Sequence, residues 1–439
     1  MIPIAVADSG KEQTMNLELI GAATAAHQVE GNNSHSDYWL MEHMKNSSYV
    51  EPSNDAVDHY NRYEEDIRLL AEAGLNAFRF SIEWARIEPR EGQFDKAEVE
   101  HYRRVLQCCE KYKVTPIVTL HHFSSPAWLI SRGGWGKPYV IKAFENYTRY
   151  LVTQLGDLMP YICTINEANM GYQLKKIAAD MMKANRRKEG DVQVGVNLDM
   201  KKILLGLFEQ GRIFHCSPLG VNVFLNPRSQ KAETYVMQTH QAAVRAIKQI
   251  RPDCRVGLTL SLFDYQPLSG GEAQAEKLWQ EDYGFYLPWI EQDDFLGVQN
   301  YSRKRVDSTG ALEPEPGAPL TQMGYEDYPA SIGHVLRKVA KSFPGELIVT
   351  ENGIGTSDDK RRCEFIREAF AGVKRCADDG LPVKGYFVWS LLDNFEWQAG
   401  YAKTFGLIAV DRSTQQRFPK ESLGVLGALA KETLGSADA

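Results

Sequence analysis

The sequence predicts an α/β protein built as one (β/α)8 barrel. Three observations lead there. Eight short apolar runs recur along the 439 residues, most of them separated by stretches with helical periodicity. Amides, carboxylates and indoles crowd the C-terminal ends of those runs, where a barrel carries its chemistry. No linker, low-complexity tract or internal repeat divides the chain. Residues 1–439 therefore read as a single domain, with residues 1–14 as an extended or disordered tail.

In order, Leu17–Thr24 is the first buried strand, and Ala25–Trp39 follows as a polar and aromatic loop. Asp55–Glu72 places Tyr60, Tyr63, Ile67, Leu70 and Ala71 on one helical face, and Gly74 closes it as a cap. Ala77–Ile82, with Arg79, is the second strand. Val99, Tyr102, Leu106 and Cys109 line one side of a helix over Glu98–Tyr112. Pro116–Leu120 is the third strand and runs into His121-His122-Phe123, and Pro138–Leu155 is the third helix. Tyr161–Ile165 is the fourth strand and ends at Asn166-Glu167. Met170–Ser229 is the least regular stretch, with a basic helix-like piece around Lys175–Lys188 and a Gly/Asn/Pro-rich passage around Gly220–Arg228. It reads as a long excursion at the barrel mouth. Thr234–Ile250 is helical, Arg255–Leu260 is the fifth strand and Asp294–Gln299 the sixth, ending at Asn300-Tyr301. Leu347–Thr350 is the seventh, and Glu351-Asn352-Gly353 stands where it gives way to a loop. Arg362–Ala377 is helical, Gly385–Trp389 is the eighth strand, and Glu421–Leu434 is a closing helix.

Composition narrows the function. The net charge of −7 offers no basic footprint for nucleic acid. No apolar run is long enough to span a bilayer, and Met1–Ala7 is too short, and lacks the basic start, to be a signal peptide. The seven cysteines are irregularly spaced with no CxxC pair, which suggests neither a disulfide framework nor a zinc site. Reduced thiols in a cytoplasmic protein are expected. No cluster of histidines and carboxylates has metal-ligand spacing, so no metal or cofactor is predicted.

The polar strand ends suit a sugar. Amides and carboxylates pair with adjacent hydroxyls, and an indole face covers the apolar C–H face of a pyranose. Two carboxylates on different strands suit cleavage of a glycosidic bond. One protonates the leaving oxygen, and the other attacks the anomeric carbon or activates water.

The motifs Gln28-Val29-Glu30-Gly31, Arg79-Phe80-Ser81-Ile82-Glu83-Trp84, Thr119-Leu120-His121-His122-Phe123, Asn166-Glu167, Thr350-Glu351-Asn352-Gly353, Trp389 through Trp397 and Phe405-Gly406-Leu407 stand in this order. Together they resemble glycoside hydrolase family 1, the retaining β-glycosidases, from Gly21 to about Leu407. The resemblance implies a barrel enzyme acting on small β-glycosides or oligosaccharides. Glu351 would be the nucleophile, and Glu167 the general acid and then the general base. Arg79 and Tyr301 would hold Glu351. Asn166 would bond the sugar 2-hydroxyl, and Gln28, His122, Glu396 and Trp397 would grip the other hydroxyls. Trp389 would form the floor beneath the ring, with Phe405 beside the sugar. His121 is expected to pack behind the site rather than touch substrate.

Several positions depart from the family pattern. Ala168 stands where a Pro usually follows the acid/base Glu, Phe123-Ser124 replaces Trp-Asp, and Gln299-Asn300-Tyr301 replaces Asn-Tyr-Tyr. The stretch after Met170 does not match the usual loop, so leaving-group preference does not carry over. Members acting on 6-phosphorylated sugars have Ser at the position of Glu396, with a Lys and a Tyr further on. Lys403 is present, but Glu396 and Phe405 are not phosphate-site residues, and a carboxylate would repel a phosphate. The expectation is an exo-acting β-glucosidase on unphosphorylated O-glycosides. The alternatives are transglycosylation on the same fold, or a catalytically silent sugar-binding barrel.

Overall fold

The structure, a computed structural model, describes residues 17–176 and 200–435. The expected tail at residues 1–14 and the basic residues Lys183, Arg186, Arg187 and Lys188 lie outside the described residues. Eight parallel strands close on themselves: β1 (Leu19–Ala23), β2 (Ala77–Ser81), β3 (Thr115–Thr119), β4 (Tyr161–Cys163), β5 (Arg255–Ser261), β6 (Phe295–Gln299), β7 (Glu346–Asn352) and β8 (Val383–Trp389). Each pairs with its neighbours in chain order, and Gly21 of β1 pairs with Phe387 of β8 to close the ring. Strands covered on both faces read as continuous apolar runs, which is why the pattern was legible. Gly21 is required by close approach, because a Cβ there would lie 1.9 Å from the Ala77 carbonyl oxygen.

Among the described residues, the helices of the outer layer include α1 (His59–Ala73), α2 (Lys96–Lys111), α3 (Tyr139–Leu155), α4 (Gln230–Ile250), α5 (Glu272–Trp279), α6 (Ser331–Val339), α7 (Asp359–Asp378) and α8 (Glu421–Gly435), and a further helix, Met200–Ile213, lies in the stretch after Met170. Gly74 ends α1 in the left-handed conformation, as expected of a glycine cap. Asp95 and Asp358 begin α2 and α7 by accepting from two backbone N–H groups each. Helices α5 and α6 are additional to those expected from the sequence. For α6 the signal was present: Ile332, Val335, Leu336 and Val339 recur at helical spacing and are all buried. Two small sheets, built from Asp264–Pro267 with Arg303–Asp307 and Gly310–Ala311 and from Ile408–Asp411 with Gln416–Pro419, also went unforeseen. The stretch Ala25–Trp39 is not simply a loop. It contains a helical turn over Ala26–Val29 and the start of a helix over Asp37–Glu42, whose cap is Ser36.

The barrel interior is filled by Leu19, Ala77, Ile117, Cys163, Phe295, Ile348 and Phe387. Above this apolar plug the interior turns polar. The seventh strand does not end at Thr350: it continues through Glu351 to Asn352, with a register shift between Val349 and Glu351 against β6. A bulge of this kind re-aims a side chain within a paired strand. Among the described residues no helix is long and apolar enough to cross a membrane.

Candidate active site

Arg79 lies at the centre of the polar layer and is fully buried. Its Nη1 donates to Glu351 Oε1 at 2.5 Å, and its Nη2 donates to Asn166 Oδ1 at 2.5 Å. The Tyr301 hydroxyl donates to Glu351 Oε2 at 2.6 Å. Both carboxylate oxygens of Glu351 are therefore held by donors, one of them a cation. Asn166 Oδ1 also accepts from Thr259 Oγ1 at 3.1 Å and from Gln299 Nε2 at 2.8 Å. Three donors fix the orientation of this amide, so its Nδ2 faces His122 Nε2 at 3.2 Å. Burial, Arg79 and His121 hold His122 well below the ordinary imidazole value, so it is neutral.

Glu167 has a different setting. It is buried, and the Ser261 hydroxyl rather than a cation is beside it. Burial pushes its carboxyl up to about 8, and the charge of Glu351 adds to the shift against smaller opposing effects of Ser261 and Arg79. Burial also raises Glu351, but Arg79 and Tyr301 pull against it. Two carboxyls so coupled titrate as a pair. Their shared proton rests on Glu167, because Glu351 carries the direct guanidinium contact.

The remaining expected residues line the other side. Trp389 Nε1 donates to Glu396 Oε1 at 3.2 Å. Gln28 Nε2 donates to Asn394 Oδ1 at 3.1 Å and to the Phe395 carbonyl at 2.8 Å, with Glu396 Oε2 at 3.5 Å. Gln28 Oε1 and His122 Nδ1 are buried with no hydrogen-bond partner among the described residues. Such atoms are costly unless something hydrogen-bonds them, and sugar hydroxyls would do so. Trp397 stacks on His27, and Phe123 tilts against it. Phe405 meets Tyr301 edge-on with ring centres 6.2 Å apart. His121 points away, to Ser125 and the rings of Trp135 and Phe224, as expected of a packing residue.

The structure also brings in residues that sequence reasoning missed. Thr259 and Ser261 of β5 contact the Asn166-Glu167 pair. A polar Thr259 between Leu258 and Leu260 in a buried strand was the available signal. Tyr325 stands near Glu167 and Glu396: burial first, and then their charges, raise its hydroxyl, and no periodicity marked it. Gln299 stands where the family usually has an Asn, and its amide reaches Asn166.

Glu396 yields a stability prediction. Burial, above all, raises its carboxyl from 4.5 to about 8. The folded form therefore stays protonated in a range where the unfolded chain ionises. Stability from this group is fully present below about pH 4.5 and is lost as pH rises toward about 8. Glu396→Gln should remove that slope and stabilise the free protein at pH 8 by on the order of 2 kcal/mol, with little change at pH 4. Thermal melts of both proteins at the two pH values check this.

Cleaving a glycosidic bond takes two carboxyls, one kept as acid and one kept ionised, and a barrel mouth set with amides and indoles can hold the sugar between them. The fold and site thus define the class, a barrel glycoside hydrolase. Comparison with known proteins then places the chain. It belongs to glycosyl hydrolase family 1, whose family model matches residues 14–188 and 286–433. The crystal structure of β-glycosidase BGL167 is 41% identical with a TM-score of 0.86, over 94% of this chain and 96% of that one. The 1,4-β-D-glucan glucohydrolase of Thermotoga neapolitana is 30% identical over 92% of this chain and 95% of its own length. The 6-phospho-β-galactosidase 1 of Streptococcus pneumoniae (serotype 4) is 28% identical over 92% and 95%. The protein is a glycoside hydrolase of the β-glycosidase kind.

Proposed function

We propose that the protein is a retaining, exo-acting β-glucosidase on unphosphorylated β-O-glycosides. The observation that carries this reading is the contrast between two buried carboxyls: Glu351 clamped by Arg79 and Tyr301, and Glu167 held near Ser261 with a raised pKa. In the first step Glu351 attacks the anomeric carbon while Glu167 gives its proton to the leaving oxygen. The Arg79–Asn166 contact leaves Asn166 Nδ2 as a donor for the sugar 2-hydroxyl. Once Glu351 is esterified its charge is gone, the repulsion on Glu167 falls, and Glu167 can take a proton from water. Attack by that water then releases the sugar with its original configuration.

Unphosphorylated substrate is favoured by Glu396, a buried carboxyl tied to Trp389 and Gln28. A phosphate dianion placed against this protonated, buried acid would be left without a counter-charge, and ionising the acid would only add repulsion. Two measurements test the reading. NMR of the first-formed product from aryl β-glucosides should show the β anomer, and initial α anomer would reject retention. 4-Nitrophenyl β-glucoside should be turned over at least about tenfold faster than its 6-phosphate, since burying a phosphate dianion with no cation beside it costs more than about 1.4 kcal/mol. The reverse preference would reject the substrate assignment.

A further inference from the structure

Glu167 adopts a left-handed backbone conformation, with φ of 43°. A residue with a side chain persists there only when its surroundings hold it. On one side Thr259 does so. Its Oγ1 accepts from the Glu167 N–H at 2.8 Å, and its carbonyl accepts from the Ala168 N–H at 3.0 Å. On the other side the holder is Arg228, at the end of the excursion that follows Met170.

Arg228 is 4% exposed and its guanidinium is spread over three partners. Nη2 donates to the Ala168 carbonyl at 2.8 Å, Nε donates to Glu233 at 2.9 Å, and Nη1 donates to the Phe224 carbonyl. Its own backbone N–H donates to the Gly171 carbonyl at 3.1 Å. Gly171 allows this approach, since a Cβ there would lie 2.3 Å from Arg228 Cζ. The guanidinium also rests on the Phe224 ring at 4.4 Å, and Phe224 packs on His121 and Trp135. Two successive peptides after Glu167 are thus held, the Glu167–Ala168 unit by the Thr259 carbonyl and the Ala168–Asn169 unit by Arg228, at the position where Ala replaces the usual Pro.

The geometry points to Arg228 as a positioning residue for the general acid: it fixes the Ala168 peptide, and through it the direction in which Glu167 presents its proton. This rests on the role proposed for Glu167. It also assigns a task to part of the unfamiliar segment, which delivers Arg228 beneath the acid rather than only shaping the mouth.

The test follows from what an acid does. A glycoside with a poor leaving group needs the proton, and 2,4-dinitrophenolate does not. Removing Arg228 alone would leave Glu233 buried and unpaired, so Arg228→Met is combined with Glu233→Gln. Arg228→Lys keeps the charge pair, but a single ammonium lacks the planar fork that reaches all three partners. Active sites are counted by the burst from 2,4-dinitrophenyl 2-deoxy-2-fluoro-β-glucoside, and kcat/KM is measured on phenyl and 2,4-dinitrophenyl β-glucosides. The double variant should lose roughly tenfold to a hundredfold on the phenyl substrate and less than about threefold on the dinitrophenyl one. The basic limb of its pH profile should move, and the lysine variant should fall between. Equal losses on both substrates, or no loss, would overturn the inference. Glu167→Ala, run in the same series, separates the two claims. If it shows no such selectivity, the acid assignment fails; if it alone shows it, only the role of Arg228 fails.

Discussion

Replacing Glu351 by Gly should abolish hydrolysis of β-glucosides, with a loss of about 10⁴-fold or more, the scale seen when a catalytic nucleophile is removed. Added azide should then restore turnover of 2,4-dinitrophenyl β-glucoside and give an α-glycosyl azide. The sense of that product is the point of the experiment. With the carboxylate gone, a small anion can occupy its place between Arg79 and Tyr301, the two donors that meet the Glu351 oxygens at 2.5 and 2.6 Å. Attack from that side inverts the anomeric centre once. A β-azide product, or an unimpaired variant, would remove Glu351 from the nucleophile's role. Arg79 is not expected to be rescued in this way. It is fully buried and pairs both Glu351 and Asn166, so its loss would leave one buried charge unpaired and one amide misdirected.

Replacing Glu167 by Ala should lower kcat/KM on phenyl β-glucoside by roughly 10²- to 10⁴-fold, the usual worth of a general acid. Its effect on the 2,4-dinitrophenyl substrate in the same step should be slight. Azide should now give a β-glycosyl azide, because it attacks the glycosyl-enzyme in place of the water that Glu167 would activate. The pH profile supplies an independent check. Glu167 must be protonated for the first step, and burial with the nearby Glu351 charge raises it to about 8. In the parent protein kcat/KM should therefore hold through neutral pH and fall as pH rises through about 8. That basic limb should vanish in the alanine variant, while the acid limb, set by protonation of Glu351, remains. A basic limb that survives Glu167→Ala would assign it to another group.

These expectations show how differently fold and site were encoded. Buried parallel strands announce themselves, because both faces must be apolar; Ile348, Val349 and their counterparts in the other strands were legible for that reason. Helix α6 was equally legible from its spacing and was overlooked, whereas α5, only eight residues long, offered little periodicity to read. The strand-end motifs also placed Gln28, Arg79, His122, Asn166, Glu167, Tyr301, Glu351, Trp389, Glu396 and Trp397 in one layer, where the structure brings them together. What the motifs did not contain was the support. Thr259 stands 93 residues from Asn166, and Arg228 stands 60 from Ala168, yet each touches its partner.

Residue type and order were enough for the class of fold and the family, and they singled out Glu167 and Glu351 as the expected pair of carboxyls. The three-dimensional arrangement adds what surrounds each of them: Arg79 and Tyr301 at Glu351, Ser261 at Glu167. Whether a glutamate is acid or nucleophile depends on its burial and on which donors reach it, and those donors arrive from distant strands. The bulge that carries Glu351 inside β7, the guanidinium that meets it, and the Arg228 grip behind Glu167 all arise from strand register and packing. Such contacts join residues far apart in the chain, and local residue pattern carries no record of them.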